Sequence, residues 1–247
     1  MPVDAIHHDH TVEAIRERLE QGPSASYLRD WVYGGIDGAV TTFAIVAGVV
    51  GANLSTGVIL VLGAANVVAD GFSMAASNYT GTKTEREEFE RLKAHEERQI
   101  VRDPDGETRE IREIFRAKGF TGEDLDRVVE VITADKALWV NTMLTEEYGL
   151  PMSERSPTRA ALSTFGAFLL CGLVPLLPFI ASPWLMERSH AFAWSSLVTG
   201  LTFFFIGSAK SRWSLVSWWR SGAETMAIGL GAASFSYIIG YALQSLV

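Results

Sequence analysis

One cysteine, Cys171, stands in 247 residues, so no disulfide can form within the chain. Basic side chains are also short: 21 Lys and Arg against 29 Asp and Glu leave a formal net charge of −8. Nucleic-acid binding wants a basic surface, so that class is excluded. The first thirty residues lack the apolar core of a cleavable export signal, and membrane insertion is expected to use internal segments. The sharpest shortage is local. Residues 31–80 hold only two charged side chains, Asp37 and Asp70, and residues 160–247 are nearly as poor, whereas 81–158 is dense in Glu, Arg, Lys and Asp.

A membrane helix needs ~20 mainly apolar residues. Five stretches qualify: 32–52, 57–79, 160–182, 191–209 and 222–246. So many uncharged stretches in a short chain disfavour a soluble protein with buried helices. The predicted fold class is all-α: an integral membrane protein with five transmembrane helices and a cytoplasmic three-helix insert between spans 2 and 3. The expected parts are a tail (1–30), spans 1 and 2 (31–80), the insert (81–158) and spans 3 to 5 (159–247). The turn "GANLSTG" makes the first two spans an antiparallel hairpin. Pro175 and Pro178 should kink or break span 3.

Lys and Arg alternate from loop to loop. Arg16, Arg18 and Arg29 precede span 1, and none follows it; the insert is rich in both; Arg188 alone follows span 3. Lys210, Arg212 and Arg220 follow span 4, and none follows span 5. The positive-inside rule then puts the N-terminus and the insert in the cytoplasm and the C-terminus on the other side. The short tails favour a bacterial inner membrane over a vacuole.

Within span 2, "AANVVADGFSM" carries Asn66, Asp70 and Met74 at i, i+4, i+8 spacing, on one helix face. A charge at bilayer depth costs about 2.5–3.5 kcal/mol, so Asp70 needs a partner, a water-filled cavity or an ion. Span 1 has its own acid, Asp37, in "YGGIDGAVTTF", about 9 Å from the cytoplasmic end at ~1.5 Å per residue. Asp70 lies at similar depth on the returning helix. The glycines beside Asp37 are expected to let the two backbones approach. Carboxylates, an amide oxygen and a thioether suit Fe²⁺ or Mn²⁺. Zn²⁺ usually recruits His or Cys, and the spans offer only His190 and Cys171. A structural bridge between helices, or a proton relay without metal, also accounts for these residues.

The insert reads as three helices: a polar one continuous with span 2 and ending at "RDPDG", "ETREIREIFRAKG" closed by Gly119, and a third opened by an approximate capping box at Thr121 with a break near Asp135. Glu107 and Glu110, Glu96 and Gln99, and Met143 and Glu147 fall at helical spacings. They form either an inward carboxylate site of the bundle kind or a solvated face, as the sign alternation of "EREEFERLKAHEER" suggests. The histidines of "HHDH" at 7–10 read as a mobile tail, with loose metal binding as the alternative.

"DGAVTTFAIVAGVVGA", "NVVADGFSMAASNYTGTKTE", "WVNTMLTEEYGLP" and "SRWSLVSWWRSGAETMAIG" resemble the signature segments of the vacuolar iron transporter (VIT) family, from Tyr33 to the end. The resemblance implies a five-span homodimer that moves Fe²⁺ or Mn²⁺ out of the cytosol by proton antiport, with no prosthetic group and no catalytic residues. The family's span-1 acid falls on Asp37 and its span-2 methionine on Met74. Its span-2 glutamate falls on Asn66, a departure for which Asp70, one turn later, offers a charge. Ligands in the insert fall on Glu96, Glu107, Glu110, Met143 and Glu147, with Gln99 in place of an acid and Leu144 in place of a second methionine. Glu224, at the start of span 5, is either a proton-coupling acid or a carboxylate paired with Arg220. A membrane-anchored sensor, store or di-metal oxidase is the rival; the oxidase wants Glu-x-x-His pairs, and the insert's sole histidine is His95.

Overall fold

The computed structural model describes residues 9–22, 25–151, 155–185 and 188–246, and every regular element among them is a helix. His7 and His8 lie outside the described residues. The helices are α1 (Val12–Gln21), α2 (Leu28–Gly51), α3 (Thr56–Arg102), α4 (Pro104–Ala117), α5 (Gly122–Ala134), α6 (Lys136–Glu146), α7 (Pro157–Leu173), α8 (Leu177–Leu185), α9 (Arg188–Lys210) and α10 (Trp218–Leu243). Five helical stretches are long and apolar enough to cross a membrane: Leu28–Gly51, Thr56–Arg102, Pro157–Ser182, Ser189–Trp213 and Trp218–Leu246. The third contains a 3-10 turn at Val174–Leu176, where Pro175 and Pro178 cannot complete an α-helical ladder.

The chain divides into two compact units. In the apolar one, residues 26–80 and 157–246, α2 is the hub and packs against α7, α9 and α10. Over half of its apolar window is buried (56%), against 11% for α10 and 22% for the apolar part of α3. Phe43, Val46 and Ala47 of α2 meet Ile59, Val67, Leu176, Phe179 and Ala233 in the core.

The glycines flanking Asp37 serve a different neighbour from the one expected. A Cβ on Gly34 or Gly38 would collide with the backbone of Thr164 or Phe168, so these residues bring α2 against α7 and not against α3. α2 and α3 are joined in this region by a polar bridge, because Asn66 Nδ2 reaches the hydroxyls of Thr41 and Thr42.

The polar unit comprises residues 9–25 and 81–156. Its core is Ile100, Ile111, Leu125, Val129, Ile132, Trp139, Val140, Met143 and Leu144. Caps explain its breaks. Asp103 accepts from the Gly106 N–H at 2.9 Å with Pro104 in the first turn, so α4 starts three residues before the expected Glu107. Asp135 accepts from the N–H groups of Ala137 and Leu138 and separates α5 from α6. Thr121 holds the N-cap position of α5 but makes no side-chain cap bond, so the expected capping box is not formed.

Candidate metal sites

In the apolar unit, Asp37 of α2 and Asp70 of α3 both lie within membrane-length helices. Asp37 is half-buried, whereas Asp70 is exposed on α3 in a single chain. Asn66 is anchored beside them. Its Nδ2 donates to Thr41 Oγ1 at 3.2 Å and to Thr42 Oγ1 at 3.4 Å, and Thr41 in turn donates to the Asp37 carbonyl at 2.9 Å. The amide nitrogen is thereby turned toward α2.

Met74 sits elsewhere on the same face. It lines a cavity of about 250 Å3 with Asp30, Tyr33, Asn78 and Thr164. The sequence reading passed over this polar group. Asp30 is 3% exposed, and its Oδ1 accepts from Asn78 Nδ2 at 2.9 Å. Asn78 Nδ2 also reaches Thr164 Oγ1 at 2.7 Å and the Ala160 carbonyl at 3.3 Å, so one amide joins α2, α3 and α7. The signal was available. Asn78 extends the Asn66, Asp70, Met74 ladder by one more turn, and Asp30 precedes Asp37 by two turns. Glu224 is exposed on α10, and Arg220 lies over the Trp219 ring at 5.2 Å, where the sequence had suggested a pair with Glu224.

In the polar unit, the two readings of the acidic run divide by face. Glu87 and Glu88 form exposed pairs with Lys83 and Arg91, as a solvated surface does. Glu96, on the same helix, turns inward and is 2% exposed; Glu107 from α4 is 6% exposed. Tyr148, which the sequence reading did not single out, donates its phenol to Glu96 Oε1 at 2.9 Å. Oε2 of Glu96 and Oε2 of Glu107 are both buried with no donor.

Burial, followed by the charges of Glu110, Glu96 and Glu147 and the contact with the Glu96 carboxyl, therefore pushes Glu107 up to about 7. Burial and then Glu110 and Glu96 also raise Glu147, and burial with the Glu96 hydrogen bond raises the Tyr148 phenol. Four acids from three helical segments thus share one field. Met143 is fully buried, one turn before Glu147, and Gln99 is half-buried, three residues after Glu96. Among the described residues no three His, Cys, Asp or Glu side chains converge into a closed ligand set. The donor chemistry is hard oxygen, which fits a divalent ion.

Helices throughout the described residues, five of them apolar and of membrane length, define a multi-span integral membrane protein. Residues 28–241 match the profile of the VIT family, and the chain belongs to that family. It is 32% identical over 260 residues to the vacuolar iron transporter of Toxoplasma gondii, covering 99% of this chain and 85% of that protein. Vacuolar iron transporter 1 of Arabidopsis thaliana is 31% identical over 220 residues, covering 88% and 86% of the two chains. Vacuolar iron transporter 2 of Oryza sativa is 31% identical over 223 residues, covering 89% and 88%.

Proposed function

We infer that this protein is a transporter, not an enzyme, that carries Fe²⁺ or Mn²⁺ out of the cytosol in exchange for protons. The observation that carries the reading is a pair of acids, half-buried Asp37 on α2 and Asp70 on α3, set within membrane-length helices that Asn66 bridges through Thr41 and Thr42. Two facing carboxylates at bilayer depth repel each other until a divalent cation or a proton neutralises them, and alternation between those two occupants is antiport. Asp37, Asp70 and the Asn66 oxygen supply the hard ligands, with Met74 as a softer contact on the same face. The family membership and the relatives named as iron transporters support iron as cargo.

Asp70 is exposed in a single chain. A carboxylate open to lipid is costly, so the reading includes a second copy that covers this face of α3 and makes a homodimer. The loop pattern of Lys and Arg favours a cytosolic polar unit. There Glu96, Gln99, Glu107, Glu110, Met143 and Glu147 gather cargo and raise its concentration near the membrane. Glu224, exposed on α10, is assigned to the transport pathway as its coupling acid.

The experiment is uptake of Fe²⁺ and Mn²⁺ into liposomes carrying the full chain, with and without an imposed pH gradient. Metal uptake that grows with the gradient supports antiport; uptake indifferent to it removes the proton from the mechanism. The donor-less oxygens of Glu96 and Glu107 also favour a second reading, a metal store or sensor. Binding without uptake in the same liposomes selects that reading.

A further inference from the structure

Between α9 and α10 the chain exposes apolar side chains in an unusual concentration. Trp213 is 65% exposed, Leu215 101%, Val216 47%, Trp218 58% and Trp219 52%. Nine consecutive residues, 212–220, are all exposed. Large apolar groups left in water are unfavourable in proportion to their area, so something covers them. The sequence indicates what. Arg212 and Arg220 fall within this segment, Lys210 lies two residues before it, and no acid occurs from Ser189 to Ala223. Arg220 stacks over Trp219 at 5.2 Å, which presents cation and ring together. The two flanking helices are both membrane-length and apolar, so the segment that joins them lies at a bilayer edge.

Tryptophan prefers that edge because its ring is apolar while its N–H hydrogen-bonds to headgroups. Clustered Lys and Arg there attract anionic headgroups. We propose that the Lys210–Arg220 segment is a docking surface for anionic phospholipid headgroups. In it Trp213, Trp218 and Trp219 seat the segment in the interface, while Lys210, Arg212 and Arg220 select negative charge. Lipid is favoured over a protein partner because the surface combines one sign of charge with interfacial aromatics and is continuous with two apolar helices of membrane length.

The test uses the full chain in liposomes of phosphatidylcholine and phosphatidylglycerol in equal amounts, with one or the other brominated to quench nearby tryptophan. Brominated phosphatidylglycerol is expected to quench more strongly than brominated phosphatidylcholine, through a local enrichment of roughly tenfold. Salt near 0.5 M should collapse that preference, since it shortens the screening length to a few ångströms. The triple substitution Lys210→Gln, Arg212→Gln, Arg220→Gln should abolish it, while quenching by phosphatidylcholine persists. Equal quenching by both lipids in the wild-type chain overturns the proposal without reliance on a variant. So does a preference that survives the triple substitution. Failure of either lipid to quench beyond the level of a Trp213→Leu, Trp218→Leu, Trp219→Leu variant overturns it in favour of a protein cover, such as a second copy.

Discussion

Asn78 Nδ2 donates to Asp30 Oδ1 at 2.9 Å, and this single amide ties three membrane-length helices together at one end of the apolar unit. Loss of a hydrogen bond to a buried charged group costs ~1.5–3 kcal/mol. Asn78→Ala is therefore expected to lower the thermal midpoint of the detergent-solubilised chain by several degrees. Asn78→Asp should lower it further at neutral pH, because it sets a second carboxylate against Asp30. Melting curves of the three proteins check the order.

Asp37 and Asp70 bear the transport reading most directly. Asp37→Ala and Asp70→Ala should each reduce initial metal flux in liposomes by about tenfold to a hundredfold, the rate equivalent of a lost charge-assisted contact. Arg127→Gln, on the exposed face of the polar unit, should leave flux unchanged. Full flux in both aspartate variants would remove these residues from the pathway.

The pH dependence of cation binding by the polar unit has a definite sign. Glu107 holds its proton up to about pH 7, and a cation binds the deprotonated carboxylate. Affinity should therefore fall as pH drops below 7, by about tenfold per unit while one proton is displaced. Calorimetry with Mn²⁺ on the full chain at pH 6 and pH 8, in buffers of different ionisation enthalpy, reads both the affinity and the proton released. Glu96→Gln with Glu107→Gln should weaken binding at both pH values and remove most of the difference.

The same group links stability to pH without metal. Glu107 titrates at about 7 in the folded chain and at 4.5 when unperturbed, so between those values the folded state holds the extra proton. Its stabilising contribution is complete below pH 4.5 and is lost as pH rises through 7. Glu107→Gln should raise the thermal midpoint of the metal-free protein at pH 8 and flatten its decline between pH 5 and 8.

Much of this molecule is legible one residue at a time. Charge-poor runs of about 20 residues have the length of a bilayer-spanning helix, in which every backbone group bonds within its own segment. The break at Pro175 follows from a missing N–H, and the interruption at Asp135 from the side-chain cap it makes. The i, i+4 ladder put Asn66, Asp70 and Met74 on one face before any neighbour was known. Neighbours were harder to read. Gly34 and Gly38 announce a close approach, but nothing in their identity says whether α3 or α7 makes it.

Local sequence determined which segments are helical and membrane-length, because periodicity and hydropathy are properties of adjacent residues. Tertiary structure alone decided that Glu96 turns inward while Glu87 and Glu88 stay in water, that Tyr148 meets Glu96 across 52 residues of chain, and that Asn78 clasps Asp30. The physical reason is that burial, shared charge and long-range hydrogen bonds belong to pairs of segments. No single stretch of chain encodes which partner it will face.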